Sequence, residues 1–212
     1  RDRAMSTPSM TLFSHVASPF GRKVLVLLHE TGQQQRVTLH PVTLSPTAPD
    51  DTFNQANPLG KVPALQLADG SVIHDSRVIL DYLDQQHVGN PLIPPGGSAR
   101  WRRLTLASTA DGIMDAAVLI RYERGLRPAQ KQWQAWMTAQ SDKVLRALAS
   151  LEQNAMAELA SHFDIAAISL ACALAYLDLR LPDLDWRTPN PQLTAWYAEV
   201  GQRPSMLATR PV

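Results

Sequence analysis

The chain has 212 residues, of which 45% are apolar, so it is long enough to bury a substantial core in one large domain or two small ones. Its 20 lysines and arginines are balanced by 19 aspartates and glutamates, which argues against a nucleic-acid partner, because binding a polyanion needs a surplus of positive charge. Cys172 is the only cysteine, which excludes an intrachain disulfide and a cysteine-rich metal site and predicts a cytoplasmic, reducing environment.

The first nine residues are polar and lack the apolar core of a signal peptide. We expect residues 1–9 to be disordered or a remnant of cloning, and the fold to start at Met10. The longest apolar run, residues 165–177, is interrupted by Ser169 and is shorter than the roughly 20 residues that span a bilayer. It therefore predicts a buried core helix, and no membrane is expected as a partner.

Residues 10–86 predict a β-α-β unit, a connection with at most one short helix, and then a β-β-α unit. Ser18-Pro19 is a helix start, with serine as N-cap and proline at the first helical position, and Gly32 ends that helix. Asp69-Gly70 is a hairpin turn signal between two short strands. The predicted strands lie over 10–15, 36–42, 64–67 and 71–74, and the helices over 19–31 and 76–86.

Residues 90–98 hold three prolines and two glycines and cannot continue a helix or a strand. We predict an α/β domain over 10–87, a linker over 88–98 and an all-helical domain over 99–212. Asp164 is the expected N-cap of a buried helix whose entry is fixed by a hydrophobic staple between Phe163 and Ile168. The other helices are predicted over 99–124, 128–160 and 191–200.

The stretch Asn57–Leu65 combines a turn with the start of a strand. Pro63 has no amide hydrogen, and the bond before a proline is the only peptide bond that readily becomes cis. Val62 is therefore expected to offer its backbone N–H and C=O outward, where an extended peptide can pair with them as a short added strand. This predicts a peptide-like ligand.

Four motifs in this order resemble the cytosolic glutathione transferases, most closely the bacterial members with a serine before the proline. They are Ser18-Pro19-Phe20-Gly21-Arg22-Lys23, Gly60-Lys61-Val62-Pro63, Asp75-Ser76 and the Asp164 helix start. The resemblance implies a thioredoxin-like α/β domain followed by an all-α domain, glutathione as co-substrate, a homodimer and a role in detoxification. The implied reaction is attack of the glutathione thiolate on a small hydrophobic electrophile.

The resemblance makes Ser18 the catalytic residue, and elementary chemistry agrees. A free thiol has a pKa of about 8.5, and lowering it by two units requires about 2.7 kcal/mol. A hydrogen bond to a charged group supplies roughly 1.5 to 3 kcal/mol, and the start of a helix also favours negative charge. Two alternatives stay open: Ser18 could serve only as an N-cap, and Ser14, four residues earlier, could hold the catalytic role instead.

The resemblance also implies the glutathione-binding residues. Pro63 would be cis, so that Val62 pairs with the cysteinyl unit, and Lys61 would reach a glutathione carboxylate. Asp75 and Ser76 would bind the γ-glutamyl end at the start of a helix. Many relatives carry glutamate where this chain has Asp75, so the aspartate contact is direct or made through water.

The second domain departs from the family pattern at Ala167, where relatives commonly carry an acidic residue that completes a capping box. We expect this to weaken initiation of the Asp164 helix by about 1 kcal/mol. Phe20, Met114, Asp115 and Tyr122 are the candidates for an electrophile pocket. The six histidines show no paired ligand spacing, so no metal site is predicted.

Two other functions are compatible with the same features. One is a non-catalytic module that binds glutathione or a protein partner. The other is a glutathione-dependent thiol oxidoreductase, which Ser18 argues against, because serine cannot form a mixed disulfide.

Overall fold

The computed structural model describes residues 9–211, which form two compact units. The first unit comprises residues 9–91 together with 208–211, and the second comprises residues 92–207. Residues 208–211 join the first unit, where the Arg22 guanidinium donates a hydrogen bond from Nε to Thr209 Oγ1. The sequence predicts these residues as part of the helical domain. Of the segment expected to be disordered, residues 1–8 lie outside the described residues.

The first unit has the expected β-α-β and β-β-α order around a four-stranded sheet. The sheet order is β2-β1-β3-β4, with β1 parallel to β2 and antiparallel to β3, and β3 antiparallel to β4. The elements are β1 Met10–Ser14, α1 Pro19–Glu30, a 3-10 turn Gln34–Arg36, β2 Val37–Pro41, α2 Asp51–Ala56, β3 Ala64–Gln66, β4 Val72–Ile73 and α3 Ser76–Asp84.

The core of this unit lies between the sheet and helices α1 and α3. Leu12 and Leu65 are paired across β1 and β3 and are fully buried. Val24 and Leu27 of α1 and Ile79 of α3 are buried as well, at the helical spacing that the sequence shows. A second cluster of Val42, Phe53 and Ala64 packs elsewhere in the unit, with the side chain of Val62 against it.

The second unit is helical throughout its regular elements, as expected. Helix α7 is its most buried element, and it packs along α4. The elements are α4 Gly97–Leu126, a 3-10 turn Ala129–Lys131, α5 Gln134–Asn154, α6 Met156–Ser161, α7 Ile165–Arg180, α8 Pro191–Val200 and α9 Pro204–Ala208, whose last residue belongs to the first unit.

The prediction of one helix over 128–160 is wrong, because the structure divides this segment into a 3-10 turn and two helices. At the first break, the Trp133 N–H donates to the Glu123 carboxylate of α4, and the Gln132 side chain donates to the Arg124 and Arg127 carbonyls, so this stretch bonds to the end of α4 and the residue after it instead of continuing a helix. The second break falls at Ala155, between α5 and α6.

Near the end of α5, the Glu152 carboxylate accepts hydrogen bonds from the N–H groups of Gln192 and Leu193, and its carbonyl accepts one from the Gln192 side chain. These contacts cap α8, whose own N-cap Asn190 makes no side-chain cap.

Helix α7 begins at Asp164 as predicted, and the missing capping box has a replacement. The Asp164 carboxylate accepts from the N–H groups of Ala166 and Ala167. Arg103 of α4 pairs with the same carboxylate through Nε and Nη2, and both side chains are largely buried. An ion pair between distant segments therefore holds the helix start that the local sequence leaves weaker.

No helix in residues 9–211 is long and apolar enough to cross a membrane.

Candidate functional site

Ser18 is the N-cap of α1 and is partly exposed. Its Oγ accepts a hydrogen bond from the Gly21 N–H at 3.1 Å. This uses a lone pair of the oxygen and leaves the hydroxyl hydrogen, which has no acceptor within residues 9–211. Capping the helix and donating to a ligand are therefore compatible roles, so the capping alternative does not exclude the catalytic one.

Ser14 lies at the end of β1 in a different environment. It is only 3% exposed, and its Oγ is buried without a hydrogen-bond partner among the described residues. A side chain built on Gly21 would place its Cβ 2.0 Å from that oxygen, so Ser14 packs against the bare first turn of α1. Its enclosed hydroxyl is less suited than that of Ser18 to meet an incoming ligand.

The loop after α2 is held by Asn57, which is almost fully buried. Its Nδ2 donates to the Lys61 carbonyl at 2.7 Å, its Oδ1 accepts from the Leu59 N–H, and its carbonyl accepts from the Gly60 N–H. Gly60 has a φ of 61°, a conformation that favours glycine. These bonds fix the path of the chain into Val62, while Lys61 stays exposed.

The peptide bond between Val62 and Pro63 is cis. The Val62 side chain points into the cluster of Val42, Phe53 and Ala64. Its backbone N–H and C=O make no hydrogen bond within the described part of the chain. An anchored side chain with unbonded backbone groups is the arrangement that an extended peptide needs in order to pair with a turn.

Asp75 and Ser76 form the start of α3. Asp75 is the N-cap, and its Oδ1 accepts from the Arg77 N–H at 2.9 Å; the peptide bond before it is also cis. Ser76 is 3% exposed, and its hydroxyl has no hydrogen-bond partner in residues 9–211. The first N–H groups of a helix lack partners within the helix, so this end attracts an anionic group.

The Asp75 carboxylate is stabilised in its charged form. The hydrogen bond from the Arg77 side chain is the largest cause that lowers the pKa of Asp75, and the Arg77 N–H and the positive charge of Lys23 also lower it. Arg77 Nη2 lies 2.8 Å from Asp75 Oδ2 in an exposed ion pair. An ammonium group that approaches Asp75 meets an ionised carboxylate that already has one cationic partner.

Lys23 of α1 is 1% exposed, although it carries a charge. Its Nζ lies 5.7 Å from the centre of the Phe20 ring, within the range of a cation–π contact. Phe20 itself is partly exposed in the first turn of α1. The start of α1 therefore carries an aromatic face, a hydroxyl and a positive charge close together in the chain.

The remaining pocket candidates lie on α4 in the helical unit. Met114 is fully buried, Asp115 is exposed and Tyr122 is 40% exposed. Of the three, only Tyr122 combines a large apolar surface with access to solvent. Among the described residues, no group of three or more histidine, cysteine or acidic side chains is arranged to hold a metal ion.

Comparison with known proteins shows which family this chain belongs to. The family model for the glutathione S-transferase N-terminal domain matches residues 17–86, and the model for the C-terminal domain matches residues 134–199. Together they match more than half of the chain. The chain belongs to the glutathione transferase family.

Relatives of this glutathione transferase family member cover nearly its whole length. An uncharacterised GST-like protein, YibF of Escherichia coli K12, is 31% identical over 95% of this chain and 98% of its own. A family member from Pseudomonas fluorescens Pf-5, whose crystal structure contains bound glutathione, is 69% identical with a TM-score of 0.95 and covers 96% of this chain and 100% of its own. The expected thioredoxin-like α/β domain and all-helical domain are thus confirmed.

The sequence did not assign a role to every residue that the structure places around the glutathione transferase motifs. Asn57, Arg77 and Lys23 each support a predicted residue, through the Lys61 carbonyl, the Asp75 carboxylate and the Phe20 ring respectively. Asn57 had a detectable signal, because asparagine before proline at the start of a turn commonly bonds the backbone two residues on. A buried lysine such as Lys23 leaves no such signal in the sequence.

Proposed function

We propose that this protein is a glutathione transferase that ionises the glutathione thiol and directs the thiolate to a small hydrophobic electrophile. Ser18 donates its hydroxyl hydrogen to the sulfur, and the N–H groups at the start of α1 add to the stabilisation of negative charge. The observation that carries this proposal is the Ser18 hydroxyl, which accepts from the Gly21 N–H and keeps its own hydrogen free.

The glutathione-binding residues of the proposal follow from the loop and the start of α3. The unbonded backbone of Val62 pairs with the cysteinyl unit, next to cis Pro63. Lys61 is exposed and reaches a glutathione carboxylate. Ser76 takes the γ-glutamyl carboxylate at the helix start, while ionised Asp75 takes the ammonium group, directly or through water.

Solved structures of relatives support glutathione as the ligand. A second crystal structure of a family member from Pseudomonas fluorescens Pf-5 contains bound S-(propanoic acid)-glutathione. Its protein chain is 67% identical to this one, with a TM-score of 0.91. A relative from Methylobacillus flagellatus, 36% identical with a TM-score of 0.84, contains bound glutathione. By extension to this chain, both glutathione and its sulfur-substituted derivatives are ligands.

Replacement of Ser18 by alanine tests the catalytic role. Loss of a hydrogen bond to the thiolate is worth about 1.5 to 3 kcal/mol, so we expect turnover to fall about 10- to 150-fold while glutathione affinity changes little. The measurements are kcat with 1-chloro-2,4-dinitrobenzene and the thiolate absorbance of bound glutathione across pH. The thiol pKa should rise in Ser18→Ala.

Two further variants separate catalysis from capping. Ser18→Asp keeps an acceptor for the Gly21 N–H but cannot donate at neutral pH, so it should retain stability and lose turnover. Ser14→Ala should retain most of the turnover, because Ser14 is buried against Gly21. Full turnover in Ser18→Ala together with loss in Ser14→Ala would assign the role to Ser14.

The two other functions predict different outcomes. Binding to immobilised glutathione without turnover across a broad electrophile panel would indicate the non-catalytic module. Reduction of a glutathione mixed disulfide would indicate the oxidoreductase. Pocket contacts from Phe20, Met114, Asp115 and Tyr122 are part of the leading proposal, and a panel of electrophiles of increasing size would test them.

We also propose that the protein is a cytoplasmic homodimer that acts in detoxification. The single buried cysteine is compatible with a reducing compartment. Several large apolar side chains on α4 are exposed in the single chain, among them Trp101 at 67%. A monomeric mass by light scattering at working concentration would contradict the dimer.

A further inference from the structure

The carboxyl-terminal ends of α4 and α7 bring two arginines and two tyrosines together within the helical unit. Arg121 and Tyr122 are consecutive on α4, and Tyr176 and Arg180 lie one turn apart on the same face of α7. Tyr176 is 7% exposed. Helix α4 packs along α7, and the ion pair between Arg124 and Asp183 joins their carboxyl-terminal ends about one turn beyond Arg121 and Arg180. Burial raises the pKa of the Tyr176 hydroxyl, whereas the charges of Arg180 and Arg121 act in the opposite direction.

Arg121 and Arg180 have no carboxylate partner in the part of the chain that the structure describes. The nearest acidic side chains in sequence are already paired, and each of these pairs engages a different arginine: Glu123 with Arg127, Asp183 with Arg124, and Asp178 with Arg187. Arg121 and Arg180 are both partly buried. A partly desolvated cation without an anion is unfavourable, so this cluster has a surplus of positive charge that an external anion would neutralise.

The Arg121 guanidinium occupies the space next to Gly125. A Cβ built on Gly125 would lie 1.8 Å from Nη1 and 2.9 Å from Cζ of Arg121, so the guanidinium lies against the bare backbone of the next helical turn. Glycine is a poor residue for a helix, because it loses more conformational freedom on folding than any other residue. The absence of a side chain at Gly125 leaves the space that the Arg121 guanidinium occupies.

The hydroxyl of Tyr176 completes the donor set. It makes no hydrogen bond within residues 9–211, although the residue is more than nine-tenths buried. Tyr122 adds an exposed aromatic ring on the neighbouring helix. Two guanidinium groups, one hydroxyl donor and an aromatic surface match an acidic group carried on an apolar body.

We propose that Arg121, Arg180 and Tyr176 form a carboxylate-binding site of the helical unit, and that its ligand is an organic acid with an aromatic or apolar body. Guanidinium groups bind carboxylates through two parallel hydrogen bonds, which gives the site preference for acids over their esters. The identification of this acid as the electrophilic substrate rests on the proposed glutathione transferase activity. The binding of the acid does not.

A binding experiment without glutathione tests the site itself. The probe is 3,5-dinitrobenzoate, and its methyl ester is the neutral control, both titrated by calorimetry into the full chain. We expect the wild-type protein to prefer the acid, and Arg121→Met with Arg180→Met to weaken acid binding at least about tenfold, as loss of charge-assisted hydrogen bonds predicts. Ester binding should stay unchanged. Absence of acid binding by the wild-type protein would overturn the site.

Two further variants exclude trivial explanations. Arg146→Met removes an exposed positive charge from α5 in the same unit and should leave acid binding within about twofold, because exposed charges are screened. Gly125→Ala should weaken acid binding by displacing the Arg121 guanidinium, while the melting temperature holds or rises. If the double variant does not fold, Gly125→Ala and Arg180→Lys carry the test, and unchanged acid binding in both would refute the proposal.

Kinetics with 4-chloro-3,5-dinitrobenzoate and its methyl ester test the substrate class. The thiolate sulfur forms a bond to the ring carbon that carries chlorine, chloride leaves with the bonding electrons, and the thiol proton passes to solvent. We expect a higher kcat/KM for the acid, lost in the double arginine variant through KM rather than kcat. Arginine-dependent acid binding with no conjugation of either compound would leave the site standing and contradict the proposed function. Equal kcat/KM for the acid and the ester would support the transferase activity and refute the acid as its preferred electrophilic substrate.

Discussion

The two units use their buried polar groups in different ways. In the α/β unit, Asn57 fixes a loop whose next backbone groups are unbonded, and Ser76 keeps an unbonded hydroxyl at a helix start. In the helical unit, buried charges are bonded within the protein: Arg103 pairs with Asp164, and Glu152 caps α8. The named charges of the second unit therefore contribute to its own stability, whereas the loop and the helix start of the first unit keep unbonded polar groups. Buried polar atoms without a partner in residues 9–211 also occur in the helical unit, at Ser169 Oγ and Asn190 Oδ1.

Substitutions in the two units should therefore change stability and glutathione binding to different extents. Removing a buried polar group from the helical unit should cost stability and spare glutathione binding. Removing one from the α/β unit should affect glutathione binding as well. Arg121 and Arg180 differ from Arg103 in the same unit, because these two cations lack carboxylate partners in residues 9–211. The following substitutions test the comparison.

Arg103→Met is expected to have the largest effect on stability. It leaves the Asp164 carboxylate buried without its cationic partner, and breaking a buried ion pair in this way costs about 3 to 5 kcal/mol. Chemical denaturation measures the change in the free energy of unfolding. The glutathione KM of the folded fraction should remain within about twofold, since no glutathione contact is removed.

Arg102→Met is the matched control on the neighbouring residue. Arg102 pairs with Glu158 in an exposed position, and pairs of this kind contribute about 1 kcal/mol or less. Equal destabilisation by Arg102→Met and Arg103→Met would show that the buried pair has no special role at the start of α7.

Asn57→Ala should lower both stability and glutathione affinity. The Lys61 carbonyl and the Leu59 N–H lose their partner, which costs about 1 to 3 kcal/mol, and the backbone of Val62 loses its fixed position. We expect the glutathione KM to rise about tenfold, equivalent to about 1.4 kcal/mol.

Asn190→Ala provides the comparison in the other unit. Asn190 is equally buried and donates from Nδ2 to the Trp186 carbonyl at 2.6 Å. It should lose a similar amount of stability with an unchanged glutathione KM. A rise in KM of equal size in both variants would mean that the loop of Asn57 has no specific part in glutathione binding.

Arg77→Gln is expected to change the free energy of unfolding least among these variants. It removes the main cause that lowers the pKa of Asp75, so this pKa should rise toward the usual aspartate value of about 3.9. Because the folded pKa lies below the unfolded one, ionised Asp75 stabilises the fold above the unfolded pKa, and this stabilisation is lost as pH falls through the folded pKa. In Arg77→Gln the folded pKa lies closer to the unfolded one, so the loss of stability on acidification should be smaller and should be complete at a higher pH. The difference in stability should be about 1 kcal/mol or less, since the pair is exposed.

Titration of the Asp75 carboxyl carbon by NMR measures the pKa change directly. The charge of Lys23 is retained in this variant and should keep the pKa from returning fully to the unfolded value. An unchanged pKa would show that the Arg77 ion pair is not formed in solution.

Local patterns were enough to predict most of the fold. Ser18-Pro19 starts α1, and Asp164 starts α7, because these residue types satisfy the first N–H groups of a helix without help from distant segments. The single helix predicted over 128–160 failed for the opposite reason. The Trp133 N–H, directly before α5, donates to the Glu123 carboxylate of α4, and residue spacing within 128–160 does not indicate that partner.

The candidate site likewise contains residues that local motifs indicate and residues that only packing brings together. The motifs around Ser18, Val62-Pro63 and Asp75-Ser76 are contiguous in sequence, so the resemblance could point to them, and their roles stay predictions until tested. The cluster of Arg121, Tyr176 and Arg180 joins residues more than 50 positions apart on two helices, so no local pattern indicates it.

The order of helices and strands and the turn before Pro63 depend on backbone preferences of neighbouring residues, so they can be predicted without the structure, and contiguous motifs indicate the family. Only the tertiary structure decided that Ser14 packs against Gly21 while Ser18 keeps a free hydroxyl hydrogen, and that Arg103 completes the start of α7. It also decided that Arg121 and Arg180 lack carboxylates within residues 9–211. The physical reason is that burial and pairing depend on which distant side chains meet after the chain has packed.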